Sequence, residues 1–196
     1  ARSAINWYPW GAEALQLAKA EEKPIFLSIG YFTCHWSRVM EKESFESPAV
    51  AKLLNERYIA IKVDREERPD IDGIYRHATE VLTQRAGWPN SLWLTPEGEP
   101  FYAGTFFPRE DQQIEGANRP GFVSLLERLA GFWESRRDTA LEQAARIVEA
   151  MSAHRDATMT GKGKPNPDLL ENWHDRIDQS LDRKHGGFTT DGPKFP

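Results

Sequence analysis

Residues 26–40, "FLSIGYFTCHWSRVM", change their hydrophobic period in the middle. Ile25, Phe26, Leu27 and Ile29 form a nearly continuous apolar run, which predicts a strand buried on both faces. Beyond Cys34 the apolar residues Trp36, Val39 and Met40 recur at i, i+3 and i+4, which predicts a helix beginning beside the cysteine. A thiol therefore lies where a buried strand hands over to a helix. Cys34 is the single cysteine of the 196 residues, and Ser37 stands three positions on, where a dithiol motif would carry its second sulfur.

Working outward, residues 12–22 ("AEALQLAKAEE") are strong helix formers with Ala14, Leu17 and Ala18 on one face. Ser47 and Pro48 supply an N-cap and a proline at the first helical position, ahead of Val50, Leu53 and Leu54. Ile59, Ile61 and Val63 alternate, predicting a strand that ends at Asp64. A helix over residues 70–83 would bury Ile71, Ile74, Tyr75, Ala78 and Leu82. Gly87, Trp88 and Pro89 break it and lead into a short strand, "SLWL"; "TPEGEP" turns the chain and "FYAGTFF" returns antiparallel. Helices resume near Pro120, with Phe122, Leu125, Leu126 and Leu129 in register. A second stripe of Leu141, Ala144, Val148 and Met151 follows a break near Asp138.

Strand–helix–strand crossovers within a sheet are right-handed and join parallel strands, so the first two core strands should be parallel and the hairpin should add an antiparallel pair. This element order is that of an α/β, thioredoxin-like fold, a central mixed sheet flanked by helices, assigned to residues 1–154. Residues 155–167 ("RDATMTGKGKPNP") lack an apolar period and read as a linker. Leu170, Trp173, Ile177 and Leu181 then mark a C-terminal helical extension. A lone helix cannot bury such a stripe, so residues 168–196 read as the start of a truncated helical domain. The stripe is expected to be covered by a neighbouring molecule or by folding back.

Composition narrows the function. Hydrophobic residues make up 39% and charged residues 28%, enough for a globular core, and a net charge of -5 argues against a nucleic-acid partner. No apolar run approaches the roughly 18 residues of a membrane span. One cysteine forms no intramolecular disulfide, which fits a reducing, cytoplasmic setting. One cysteine and five scattered histidines supply no metal-ligand spacing, and no cofactor is implied. Trp7, Tyr8, Trp10, Trp88 and Trp93 read as core or interface aromatics rather than a sugar platform.

Cys34 should sit at the carboxyl edge of the sheet, where open α/β proteins build sites. Free N–H groups and the helix dipole favour a thiolate there, since cysteines at helix N-termini can have pKa values lowered to roughly 3.5–7.5. The plain alternative is a small buried hydrophobe. Trp88-Pro89 is the second signal: in thioredoxin-like folds a cis-proline loop faces the cysteine and offers backbone pairing to an extended substrate. An ordinary trans proline ending a turn is the competing reading. Asp64, Arg65, Glu66, Glu67 and Arg68 follow the second strand onto the same edge, either as a solvated loop or in a structural or substrate-positioning role, with Asp64 the best candidate for proton transfer. His35 lies about 100° around the helix from Cys34 and is poorly aimed as its base.

The segments "NWYPWGAEAL", "KPIFLSIGYFTCHW", "IKVDREERPDID" and "GWPNSLWLTPEGEPFYAGTFFP" resemble the thioredoxin-like domain of the spermatogenesis-associated thioredoxin-like family, over about residues 5–108. The family is widespread in bacteria, and the resemblance implies a bacterial protein. "HGGFTTDGPKFP" is similar to the start of that family's second domain, an (α/α) barrel akin to sugar epimerases and glycosidases, which makes the missing barrel a partner. The family usually reads Cys-His-Trp-Cys-His, whereas this chain has Ser37 and Arg38 in the last two places. The nucleophile carries over at Cys34; dithiol cycling does not, because no internal thiol resolves a mixed disulfide. Ser37 is expected to donate a hydrogen bond to the Cys34 thiolate.

Cys34 and Ser37 are thus the candidate catalytic pair, and His35, Trp36, Trp88, Pro89 and Asp64 the candidate substrate-binding residues. The first functional reading is monothiol redox chemistry with a protein or a low-molecular-weight thiol or disulfide such as glutathione. The alternative is a non-catalytic binding or scaffolding domain of a larger protein. A cysteine hydrolase with His77 as base lacks any oxyanion-hole signature.

Overall fold

Prolines and alternation set the elements around one sheet. In a computed structural model, which describes residues 3–114, 117–159, 168–183 and 187–188, the order begins β1 (Trp7–Tyr8), α1 (Ala12–Ala20), β2 (Ile25–Gly30) and α2 (His35–Met40). A π-helical turn, Glu41–Phe45, follows α2. Then come α3 (Pro48–Arg57), β3 (Ile59–Asp64), α4 (Pro69–Thr83) and the hairpin β4 (Asn90–Leu94) with β5 (Pro100–Gly104). A small separate hairpin, β6 (Gln112–Ile114) with β7 (Ala117–Arg119), precedes α5 (Phe122–Ser135), α6 (Arg137–Met159) and α7 (Asp168–Ser180). Pro48 and Pro69 each open a helix, where a missing N–H costs nothing.

The main sheet runs β1-β3-β2-β4-β5. β2 pairs parallel with β3 over its whole length, Ile25 opposite Ile59 and Gly30 opposite Asp64, and β4 pairs antiparallel with both β2 and β5. The mixed, thioredoxin-like sheet expected from the sequence is therefore present. Alternation splits β2 between two cores. Phe26 packs with Phe45, Trp93, Phe122 and Trp133 on one face. Ile25, Leu27 and Ile29 pack with Ile61, Ile71 and Leu92 on the other. Burial on both faces explains the unbroken apolar run.

The structure differs from the sequence reading in several places. β1 was not foreseen, because two residues carry no period; pairing with Ala60 and Ile61 of β3 makes it a strand. The β6–β7 hairpin is likewise new. Ile74 is 54% exposed, and the buried face of α4 instead includes Asp72 and Thr79 beside Ile71, Tyr75 and Ala78. In α6 the buried positions are Ala140, Ala144 and Ile147 rather than the stripe through Leu141 and Val148. Small alanines let a helix approach closely, and a pattern weighted by large side chains misses that. Helix α6 also runs through Met159, into the expected linker, whose residues 160–167 lie outside the described residues. Residues 1–157 form one compact unit and 158–196 another. In the second, Leu170 and Trp173 of the stripe on α7 are exposed in the single chain.

Candidate functional site

Cys34 is the N-cap of α2, in extended backbone at φ -70 and ψ 117. Its N–H donates to the Tyr31 carbonyl at 3.1 Å and its own carbonyl accepts the Arg38 N–H, which fixes the first turn. The residue is only 7% exposed. Its polar partner comes from across the sheet edge: Cys34 Sγ lies 3.7 Å from the Trp88 carbonyl oxygen, within donor range for a thiol. The Trp88–Pro89 peptide bond is cis. The thiol and the cis-proline loop meet as the sequence reading expected.

Ser37 does not do what was expected of it. Its Oγ is buried without a hydrogen-bond partner and faces the Gly30 backbone, so the thiol bonds to Trp88 instead. The reason is helical geometry, since three residues on from an N-cap a short side chain points back under the turn, toward β2. Ser37 lines a cavity of about 600 Å³ together with Ser28, Gly30, Lys42, Lys62 and Asp64. The Lys62 ammonium is held there by Glu41 and by the rings of Trp7 and Phe45, at 5.5 and 5.7 Å. Asp64 is committed locally: its Oδ1 accepts the Glu66 N–H at 2.8 Å, which closes the turn after β3. The carboxylate's bonded partner is thus its own loop rather than the thiol.

His35 and Trp36 are exposed, and Trp36 packs on His35 and on Phe106 with ring centroids 5.3 and 5.0 Å apart. Phe32, 77% exposed, carries the Arg38 guanidinium over its ring. The thiol is therefore framed by aromatic surface. His77 lines a separate cavity with Tyr75, Gly98 and Pro100, one that Cys34 does not line, so the hydrolase pairing gains no support. Among the described residues no group of His, Cys, Asp and Glu is arranged to hold a metal ion.

Asp72, which the sequence reading passed over, and Arg65, which it left within a charged run open to a positioning role, complete the loop geometry. Asp72, 5% exposed, accepts the Trp88 indole N–H through Oδ1 at 2.8 Å. Arg65 places its guanidinium 3.9 Å from the centre of the Trp88 ring, with Nε 3.6 Å from Asp72 Oδ2. A signal for Asp72 existed: it shares the helix face of Tyr75 and Thr79, so a carboxylate stood in register with the buried stripe. Arg65 stood in a run read as either solvated surface or a positioning element, and nothing in that run singled it out from its charged neighbours.

A cysteine at the start of the helix after a parallel strand, facing a cis-proline across a mixed sheet, defines a thioredoxin-like protein. The chain belongs to the Thioredox_DsbH family, described as "Protein of unknown function, DUF255", whose model matches residues 1–152. It is 41% identical over 198 residues to spermatogenesis-associated protein 20 of Rattus norvegicus, and 40% identical to the Homo sapiens protein of that name. It is also 41% identical to uncharacterized protein B0495.5 of Caenorhabditis elegans. All of this chain is covered in each comparison, yet it spans only 24%, 25% and 26% of those proteins. Among solved structures, a DsbH oxidoreductase superposes with TM-score 0.48 at 18% identity, covering 67% of this chain and 86% of that one. These curated relatives are animal proteins, which overturns the bacterial setting expected from the sequence.

Proposed function

We propose that residues 1–157 act as a monothiol thiol–disulfide exchange module with Cys34 as the nucleophile. The observation that carries this reading is the approach of Cys34 Sγ to the Trp88 carbonyl at the head of the cis-proline loop. The Cys34 thiolate attacks one sulfur of a substrate disulfide; a Cys34–substrate disulfide forms, the substrate bond breaks, and the departing thiolate takes up a proton. With Ser37 in the second position the mixed disulfide has no internal resolver. An external thiol, such as glutathione or a protein thiol, then attacks it, frees Cys34 and leaves with the substrate sulfur. Trp88 and Pro89 offer backbone to the incoming peptide, His35 and Trp36 offer exposed contact surface, and Asp64 lies on the same edge. A reducing compartment such as the cytoplasm suits a lone thiol. Relatives about four times longer leave room for a further domain of the same protein, and residues 168–196 would begin it as a helical, barrel-like unit.

The test is insulin reduction. The chain alone should leave insulin disulfides intact, added glutathione should give turnover, and Cys34→Ser should abolish it. Rapid reduction without any added thiol would overturn the monothiol assignment. No exchange under any condition would favour the non-catalytic binding domain, a reading supported by the low exposure of Cys34.

A further inference from the structure

The chemistry above leaves one buried carboxylate without a task. Asp72 sits in the first turn of α4, and both of its oxygens are engaged: Oδ1 by the Trp88 indole N–H at 2.8 Å, Oδ2 by Arg65 Nε at 3.6 Å. Arg65 covers the Trp88 ring at 3.9 Å and reaches the Tyr31 ring at 5.5 Å, while its backbone N–H donates to the Gly30 carbonyl at 2.9 Å. The indole is thus gripped on its edge by an anion and on its face by a cation. The carbonyl of the same Trp88 is the group against Cys34 Sγ. Three stretches of chain, after β2, after β3 and at the start of α4, converge on the side chain of the residue that presents the cis-proline loop.

These contacts depend on one another. Asp72 is buried and requires donors and a counter-charge, and the half-buried Trp88 indole N–H supplies one such donor. Turning the indole would therefore break a charge-assisted hydrogen bond and a cation–π contact together. We propose that Asp72 and Arg65 are positioning residues. Acting through the Trp88 indole, they hold the backbone of Trp88 and Pro89 where a peptide disulfide docks beside Cys34. The inference rests on the exchange reading of Cys34, and it makes a narrower claim: the clamp serves peptide docking and leaves the sulfur's reaction with a small disulfide unaffected.

The experiment compares two probes on the full chain. One is a small symmetric aryl disulfide; the other is an extended peptide whose cysteine carries the same aryl thiol as a mixed disulfide. In both, Cys34 thiolate forms a new S–S bond, the probe's S–S bond breaks, and the aryl thiolate, the better leaving group, departs with the electron pair and is measured by its colour. Asp72→Asn keeps size but removes the charge, and Trp88→Phe keeps the ring but removes the N–H. The Trp88 indole signal in a 1H–15N spectrum is assigned by its loss in Trp88→Phe. In Asp72→Asn the amide oxygen can still accept the indole N–H, but without charge. That signal should therefore shift, and the peptide rate should fall about fivefold, the difference between a charge-assisted and a neutral hydrogen bond, with the small-disulfide rate within about twofold of wild type. Trp88→Phe, which alters the docking residue itself, serves to assign the signal and should also lower the peptide rate; the split between probes is read in Asp72→Asn. An unshifted indole signal, an unchanged peptide rate, or an equal fall for both probes would each overturn the clamp. Wild-type protein inert toward both probes would instead sink the exchange reading itself.

Discussion

The contact between Gly30 and Ser37 shows how tightly the first turn of α2 lies on the sheet. A Cβ built on Gly30 would stand 2.8 Å from Ser37 Oγ and 3.2 Å from Ser37 Cβ, closer than side chains pack. Gly30→Ala should therefore push the turn that carries Cys34 and destabilise the chain by about 1–3 kcal/mol, as overpacking does. Urea denaturation measures the loss, and an unchanged midpoint would mean that the turn yields freely. The same closeness accounts for the unpartnered Ser37 hydroxyl, which points into packed backbone rather than toward the thiol.

At the scale of elements, two ends invite measurement. Helix α4 stops at Gln84, a left-handed residue at φ 59 where glycine is the usual occupant. Gln84→Gly relieves the side-chain clash but frees the unfolded chain, so a net gain of about 1 kcal/mol is expected from thermal or urea unfolding. A loss instead would mean that the glutamine side chain is needed where it is. The start of α5 depends on charge. Asp111 Oδ1 accepts the Gly121 N–H at 2.6 Å, and this bond, with the Ser124 hydroxyl and Arg128, holds the carboxyl below its ordinary range. A carboxyl lowered in the folded state stabilises above its unfolded value of about 3.9 and stops doing so as pH falls through the folded value. Asp111→Asn should therefore be less stable than wild type at neutral pH, and the gap should close in acid below the carboxylate range. A gap that persists undiminished at low pH would assign the effect to shape rather than charge.

For the whole molecule, the two compact units call for separate accounts. The first has two apolar layers around its sheet, and the second has a helix whose large side chains face water. Leu169, Leu170, Trp173 and Ile177 are all exposed, and covering each is worth roughly 1.5–3 kcal/mol. The chain should therefore associate as its concentration rises, and Leu170→Glu combined with Trp173→Glu should suppress this in sedimentation velocity runs. A wild-type chain that stays monomeric at high concentration would show that this stripe is not an association surface.

Sequence alone was enough for the order of the core elements, the parallel β2–β3 pair and the meeting of Cys34 with a cis Trp88–Pro89 bond. The first two rest on local period and connection handedness, which neighbouring residues encode; the cis bond is an expectation drawn from the thioredoxin-like fold, with a trans proline the competing reading. What only tertiary structure decided is which polar group serves which. Ser37 stands near Cys34 in sequence yet its hydroxyl has no hydrogen-bond partner, because the helix turns it under against Gly30. Asp72 and Arg65 looked like parts of a charged loop and helix start; they became a clamp because α4 packs beside β4 and brings a carboxylate under the Trp88 indole. Pairing across the sheet edge depends on side chains 16 to 54 residues apart meeting at hydrogen-bond distance, and no local period records that.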